Sequence, residues 1–461
     1  MTHEVDTSAL TSALAKAKQR YADANPLSAA AFADAKSSGI AGGTNRASIF
    51  YKPFPLTFVD AKAATAVTAD GQLVTDFLGN YTAGLFGFSP QPVIDAVTRA
   101  MANGHALGGA PNTMEARVAK ALVGRFNTMD MVRFSNSGSE ANTYAMNTAR
   151  AVTGRSKVLM YTGAYHGAWI HGGDLALDIP YEKILVPYGD ADQICEVIHD
   201  NADDLAAFIM EPVMVNPQVY LKQVAPSAYL QQIRNACSDV GCALIFDEVM
   251  TSRLAPGGAQ ELVGVAPDFT TFGKYYGGGL PFGGFGGKRE WMERHDPEHP
   301  QSINSGGTFN QNALSLAAVN AVLSDLWSPE QCRQHNAKGD EFREQLNKLM
   351  HSLGVPCQAQ GTGSLMTLIW QHRPVIGKEP CIEHKRRLDI ANHRAVAEAA
   401  QLFWFYMLHK HNILAGSPRL NYLTLPVPLG PDDYQRFLVG VEDFAGAYTL
   451  ELQQLALALS L

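Results

Sequence analysis

The sequence predicts an α/β protein: a large domain with a mostly parallel central sheet flanked by helices, and a smaller α+β domain. Three observations carry this reading. Between about 90 and 290, short apolar runs alternate with helical stretches. Those runs are apolar along both faces, as strands covered on both sides by helices must be. From about 355 onward the pattern changes to short strands among longer helices. At roughly 100–200 residues per domain, the 461 residues suggest roughly two to four domains. We divide the chain into an N-terminal segment (1–85) that contributes to the small domain, a large domain (86–350) and a C-terminal small domain (351–461).

The elements follow in order. Residues 1–45 begin as a polar helical stretch and end in the turn signal Gly42-Gly43-Thr44-Asn45. Short β-type runs lie at 56–59 and 72–76. Strands of the large domain are expected at 131–134, 158–161, 206–210, 243–246 and 269–272. Between the strands at 206–210 and 243–246, Leu230, Ile233 and Cys237 recur at helical spacing in a helix over 226–239. A run with seven glycines in eleven residues (277–287) reads as a loop, followed by a polar stretch to 307 and a long helical stretch over 309–352. The last third holds strands at 365–370 and 420–425 and helices near 386–410 and 432–458, the latter opened by Pro431-Asp432-Asp433. Phe403-Trp404-Phe405-Tyr406 reads as core packing.

Composition narrows the function. A hydrophobic content of 46% excludes disorder for most of the chain. The net charge of −8, with no long basic run, argues against a nucleic-acid partner. Six scattered cysteines make no disulfide framework, and Cys237 and Cys242 lie in apolar sequence. The first residues lack a signal peptide's basic start and apolar stretch. No run approaches the roughly 20 apolar residues of a membrane span. A soluble, cytoplasmic protein is expected. Cys381, His384 and His393 have no matching second ligand pair and read as a solvated helix, so no metal is expected.

Three stretches carry chemistry. Ser135-Asn136-Ser137-Gly138-Ser139-Glu140-Ala141-Asn142 follows a strand and opens a helix with Ala141, Ala145 and Ala149 on one face. A helix N-terminus with small residues and hydroxyls can cradle a phosphate. It can equally be an ordinary cap, with Ser139 as the capping residue. The strand ending in Asp247-Glu248 puts carboxylates where open α/β sheets bind ligands. Such a carboxylate needs a partner: a metal, a protonated ring nitrogen, a salt bridge or a helix end. Lys274 follows the 269–272 strand, where desolvation can make a lysine a Schiff-base nucleophile. The glycines after it could let backbone approach a flat ligand. They fit neither a P-loop, since Phe282 and Arg289 occupy required positions, nor a GxGxxG. Together, an anion cradle, a carboxylate and a lysine match what pyridoxal phosphate needs for its phosphate, its ring nitrogen and its aldehyde.

The chain resembles class III (ω-type) pyridoxal-phosphate aminotransferases of fold type I. The resemblance rests on residues 135–142, Gly163-Ala164-Tyr165-His166-Gly167, Met210-Glu211-Pro212-Val213, Asp247-Glu248-Val249-Met250, Thr271-Phe272-Gly273-Lys274 and Ser305-Gly306-Gly307-Thr308-Phe309-Asn310. The branch looks like glutamate-1-semialdehyde aminomutase and its aminotransferase relatives. Within it the β-phenylalanine (β-amino acid) aminotransferases are most similar, through Asn45-Arg46, Tyr81-Thr82-Ala83-Gly84, the stretch 247–256 and Ser417-Pro418-Arg419.

The resemblance implies roles. Lys274 would form the Schiff base with the cofactor aldehyde and shuttle a proton. Asp247 would pair with the pyridine nitrogen. Val249 and Tyr165 would cover the two ring faces, and Ser137, Gly138 and Ser139 would hold the phosphate. Glu211 would lie near the ring hydroxyl, and His166 would brace the Tyr165 loop. Thr308 would reach the phosphate of a neighbouring subunit, implying a homodimer with shared active sites. Arg46, Tyr81 and Arg419 would bind substrate, since a guanidinium grips a carboxylate with two hydrogen bonds. Leu85, Phe86 and Phe88 are bulkier than the family pattern and could reshape the pocket.

The expected activity is ping-pong transfer of an amino group from a β-amino acid or related ω-amine to a keto acid such as 2-oxoglutarate or pyruvate. The alternative is intramolecular exchange of the aminomutase type, against which Arg419 speaks. A non-catalytic pyridoxal-phosphate-binding scaffold is the other alternative, disfavoured by intact Lys274 and Asp247.

Overall fold

The computed structural model describes residues 7–104, 109–167, 170, 182–213, 227–370, 392–418 and 421–460. They fall into two compact units: residues 90–336, and the two ends of the chain up to 89 and from 337 onward.

The 90–336 unit is built on seven strands. These are β1 (Met131–Ser135), β2 (Lys157–Tyr161), β3 (Lys183–Val186), β4 (Leu205–Met210), β5 (Ala243–Asp247), β6 (Phe269–Gly273) and β7 (Gly283–Gly287). Their order across the sheet is β1-β7-β6-β5-β4-β2-β3. From β6 to β3 every pairing is parallel, whereas β7 runs antiparallel to both of its neighbours.

Every residue of β4, β5 and β6 is buried. Alternation along the strands divides them between two cores. Leu159, Phe208, Leu244 and Phe246 face the helices Ala191–Asp200 and Ser227–Val240, with Leu230, Ile233 and Cys237 packed against them. Val158, Met160, Ala207, Ile209 and Ile245 face the helix Gly138–Thr153. That helix presents Ala141, Ala145 and Ala149, all fully buried, so its backbone lies close on the sheet. Each large apolar side chain removed from water contributes roughly 1.5–3 kcal/mol.

Three expectations are corrected. The glycine-rich stretch is a loop only as far as 282, because residues 283–287 form β7, buried between β1 and β6. Gly283, Gly286 and Gly287 lie against neighbouring backbone. A Cβ on Gly283 would overlap the Ser137 carbonyl, and one on Gly286 or Gly287 would overlap the Met131 or Asp268 carbonyl. The 309–352 stretch is two helices, Ala313–Ala321 and Pro329–Ser352, parted by a widened turn at Val322–Leu326. Trp327 leaves helical geometry (φ −137°, ψ 62°), and Pro329 starts the next helix without needing an amide hydrogen. The 432–458 helix is likewise two, Pro431–Ala447 and Thr449–Ser460.

In the other unit the chain ends share one core. Strands Phe58–Lys62, Thr65–Thr68 and Leu73–Asp76 form an antiparallel meander, and Ile413–Leu414 adds a parallel edge to it. Strands Cys357–Thr362, Leu365–Trp370 and Tyr422–Thr424 make a second, antiparallel sheet. Phe403, Trp404 and Phe405 lie in the core as read, packed with Leu14, Tyr21, Phe77 and Phe437. Leu85 and Phe86 are buried, and Phe88 stands at the surface, edge-on to Phe58.

Candidate active site

The motif residues of the 90–336 unit gather at one edge of the sheet, where its co-directional strands end. β1 leads into the Ser137–Ser139 turn, β2 into Tyr165-His166, β4 into Glu211, β5 ends at Asp247 and β6 runs directly into Lys274. Open α/β sheets bind ligands at this end of their strands.

The turn after β1 opens the Gly138–Thr153 helix. Its N-cap is Ser137, not Ser139: the Ser137 hydroxyl accepts the Glu140 amide hydrogen at 3.2 Å. Glu140 in turn accepts the Asn136 amide hydrogen at 2.9 Å. The N–H groups of Gly138 and Ser139 have no acceptor among the described residues, so they point out of the helix end where its dipole favours an anion. Gly138 is needed by its neighbour: a Cβ there would stand 2.6 Å and 2.7 Å from the two γ-methyls of Val249. Gly273 lies against the same helix end, 3.3 Å from a Cβ position to the Gly138 nitrogen, which brings the Lys274 backbone beside the cradle. The Tyr165-His166-Gly167 turn passes over Ser139; Gly167 takes a φ of +120° that other residues avoid. Tyr165 is about half exposed (52%).

Asp247 is buried, yet its carboxyl is held below the usual carboxylate range. Burial alone would raise it, but the hydrogen bond and charge of His166, the Val249 amide and the charge of Lys274 together outweigh burial. Oδ2 lies 2.8 Å from His166 Nδ1 and accepts from Asn142 Nδ2 at 2.8 Å, while Oδ1 accepts from the Val249 amide at 3.0 Å. The floor of the site therefore carries a fixed negative charge. His166 Nε2 is buried, with no partner among the described residues. Lys274 is half buried and takes a left-handed φ of 51°, a strain of roughly 1 kcal/mol for a non-glycine residue.

Neighbouring Glu248 does something else. It turns away and accepts the amide hydrogens of Ala259 and Gln260 at 2.6 Å and 2.9 Å, the first residues of the helix Ala259–Val263. Burial pushes its carboxyl up to about 7 against those hydrogen bonds.

Glu211 is buried beyond β4. Thr308 is exposed on a loop beside Phe309, itself 66% exposed. Three side chains hold that loop among the described residues: Arg133 donates to the Ser305 carbonyl at 3.0 Å, His295 Nδ1 meets the Ser305 hydroxyl at 2.8 Å, and Asn136 Nδ2 donates to Asn310 Oδ1 at 2.9 Å. His295 Nε2 meets the Thr148 hydroxyl at 2.8 Å, whose own proton goes to the Tyr144 carbonyl at 2.7 Å. Thr148 must then accept, so His295 carries its hydrogen on Nε2 and accepts from Ser305 on Nδ1.

In the other unit, Arg46 and Tyr81 come together. The Arg46 guanidinium lies 5.8 Å from the centre of the Tyr81 ring and donates to Asn80 Oδ1 at 2.8 Å. Asn80, Tyr81 and Thr82 all have positive φ (46°, 54° and 82°), strain that clusters at functional positions. The Tyr81 hydroxyl is tied to the Ser48 carbonyl at 2.9 Å. Arg419 lies outside the described residues, as do Cys381 and His384. No group of three possible metal ligands occurs among the described residues.

Sequence reasoning assigned no role to Asn142, His295 or Arg133. Asn142 was the most visible of the three, as a polar residue beside the alanine face of its helix.

This fold, with an anion cradle, a buried carboxylate and a lysine at one sheet edge, is that of the class-III aminotransferases, enzymes of the pyridoxal-phosphate-dependent fold type I. Residues 48–385 match that family's model, and the chain belongs to it. It is 36% identical over 450 residues to the β-phenylalanine transaminase of Variovorax paradoxus, covering 97% of this chain and 98% of that one. The crystal structure of a β-phenylalanine aminotransferase from V. paradoxus superposes with a TM-score of 0.87 at 34% identity, over 96% of this chain and 98% of that chain. A glutamate-1-semialdehyde 2,1-aminomutase of Methanococcus maripaludis is 34% identical over 357 residues, 74% of this chain and 82% of that one.

Pyridoxal 5′-phosphate is the cofactor of this family. The residues present fit it. Two amide N–H groups without acceptors among the described residues suit a phosphate, and a buried anionic carboxylate suits a protonated ring nitrogen.

Proposed function

We propose that the enzyme transfers an amino group from a β-amino acid, or a related ω-amine, to a keto acid such as 2-oxoglutarate or pyruvate, in two half-reactions. The single observation that supports the chemistry is the convergence of the 137–139 helix end, ionised Asp247 and Lys274 on one sheet edge. The substrate class is supported by near full-length similarity to a β-phenylalanine transaminase and by the Arg46–Tyr81 pair.

Each residue has its part. The Gly138 and Ser139 amides, with the Ser137 and Ser139 hydroxyls, would bind the cofactor phosphate. Val249 and Tyr165 would cover the ring faces, Glu211 would lie near the ring hydroxyl, and Asp247 would hold a proton on the ring nitrogen. When bound, pyridoxal phosphate supplies an electron sink for the negative charge left as the substrate carbon loses its proton. Lys274 would hold the cofactor's aldehyde end until the donor amine displaces it. Its freed Nζ would then take the proton from the amine-bearing carbon and deliver it to the cofactor's aldehyde carbon. This suits an amine beside the Asp247 carboxylate, on a strained backbone that fixes its position. Arg46 would grip the substrate carboxylate, with Arg419 as the second such group.

Exposed Thr308 on its braced loop supports a homodimer in which it reaches the neighbouring subunit's phosphate. We place the enzyme in the cytoplasm. No helix among the described residues is long and apolar enough to cross a membrane.

A panel of donors and acceptors, followed through the cofactor absorbance in each half-reaction, tests the assignment. β-Phenylalanine is expected to change the spectrum without acceptor and yield one equivalent of keto product. A keto acid should then reverse it. Aminomutase relatives support a second reading. Full turnover of glutamate-1-semialdehyde without added acceptor would establish that reading and refute the first.

A further inference from the structure

One amide joins four parts of the site. Asn142 lies one turn into the Gly138–Thr153 helix and is 1% exposed. Its Nδ2 donates to Asp247 Oδ2 at 2.8 Å and to the His166 carbonyl at 2.9 Å, and its Oδ1 accepts from the Thr271 hydroxyl at 2.5 Å. The helix of the phosphate cradle, the turn carrying Tyr165, the end of β5 and the strand leading to Lys274 therefore meet on this side chain. The orientation of the amide is unambiguous. Turned over, its oxygen would face a carbonyl and a carboxylate, neither of which can donate.

The same bonds make the two oxygens of Asp247 unequal. Oδ2 engages two side-chain donors, Asn142 Nδ2 and His166 Nδ1. Among the described residues, Oδ1 has only the Val249 amide, at 3.0 Å. A carboxylate oxygen has two lone pairs, so the open acceptor position is on Oδ1. We propose that Asn142 is a positioning residue: anchored by Thr271, it fixes the rotation of the Asp247 carboxylate so that Oδ2 is committed to the protein and Oδ1 is presented to the cofactor's ring nitrogen. The inference rests on the role proposed above for Asp247. The ionisable groups facing that carboxylate are His166 and Lys274, and Asn142 adds a neutral donor where another carboxylate would repel.

Three variants of the holoenzyme test this, with pyridoxamine phosphate retention under dialysis as the readout that needs no turnover. Asn142→Ala removes the donor. It is expected to weaken retention about tenfold, the worth of one hydrogen bond to a charged group. It should also lower kcat while leaving the amine donor's KM within about twofold, because the donor's own contacts are untouched. Asn142→Asp places a second carboxylate against the first. It should weaken retention further at pH 8 and recover toward pH 5.5 as the pair takes up a proton, a pH profile that a packing defect does not produce. Thr271→Val leaves every atom touching Asp247 in place and loosens only the anchor. It should shift retention in the same direction by about threefold, and it reports even where an Asn142 variant fails to fold.

Asp247→Asn separates this inference from the reading beneath it. If Asp247→Asn retains pyridoxamine phosphate as wild type does, the role of Asp247 itself is wrong. If Asp247→Asn loses it while folded Asn142→Ala and Thr271→Val keep wild-type retention and pH profile, the positioning role of Asn142 is overturned.

Discussion

Replacing Gly138 with alanine tests whether the helix end and Val249 form one fitted surface. An added Cβ would stand 2.6 Å and 2.7 Å from the Val249 γ-methyls and 3.2 Å from its Cβ. Carbon atoms in contact prefer roughly 3.5–4.0 Å, so one side must move about 1 Å. Rotating Val249 does not relieve the clash, because both methyls and the carbon bearing them are close and a β-branched side chain is stiff. Overpacking of this kind costs about 1–3 kcal/mol. Alanine's better helix propensity returns at most about 1 kcal/mol, and less at a first helical position. The apo-protein should therefore lose about 1–2 kcal/mol. The holoenzyme should lose more, because Val249 is also assigned to a face of the cofactor ring and any displacement of it would disturb that contact. Calorimetric melting of apo and holo forms measures both. Val249→Ala removes the two methyls, so the double variant should recover most of the loss. If Gly138→Ala is neutral in both forms, or if the two substitutions simply add, the fitted-surface argument is wrong.

Other outcomes follow from the same geometry. Gly283→Ala should cost on the order of 3 kcal/mol or more and yield little folded protein, because its Cβ would overlap the Ser137 backbone, which has no room to move; normal expression and melting would contradict this. Burial, with the nearby Arg133 charge, lowers His295 from 6.5 to about 4. The folded protein then binds fewer protons than the unfolded chain between those values. Stability from this group is complete above pH 6.5 and is lost as pH falls toward 4, by about 2 kcal/mol after allowance for solvent. His295→Gln should flatten that part of a denaturation–pH profile. Arg46→Lys should raise the KM of the carboxylate-bearing substrate about tenfold with little change in kcat, since a lysine lacks the planar fork, and an unchanged KM would remove Arg46 from the substrate site.

Much of the 90–336 unit was legible because a strand covered on both faces must be apolar throughout. β4, β5 and β6 stood out for that reason, and their ends marked Asp247 and Lys274. β7 was not legible. Four of its five residues are glycine, which carries no side chain to signal burial, and only the backbone pressed against it explains them. β3 was missed because it is a short, partly exposed edge strand. In the site, residue type and position at a strand end singled out Lys274, Asp247 and the 137–139 turn as candidates, and the structure brings them to one sheet edge. The hydrogen bonds that fix Asp247 were not readable, because Asn142 is 105 residues and His166 81 residues away along the chain. The capping serine was misplaced by two positions because Ser137 and Ser139 are both good caps, and only backbone geometry separates them.

The reversed strand β7 also sets a timetable for the ribosome. Among the described residues β1 is an edge strand whose single partner in the sheet is β7, with Ser135 opposite Gly283. That pairing waits for about 150 further residues to be synthesised, and pairings so distant in sequence form late. β4, β5 and β6 can assemble in the order they emerge, but the turn that cradles phosphate hangs from an unpaired β1 until the glycine strand leaves the exit tunnel. A nascent chain stopped before residue 283 therefore carries its buried carboxylate and its lysine with no seated helix end beside them.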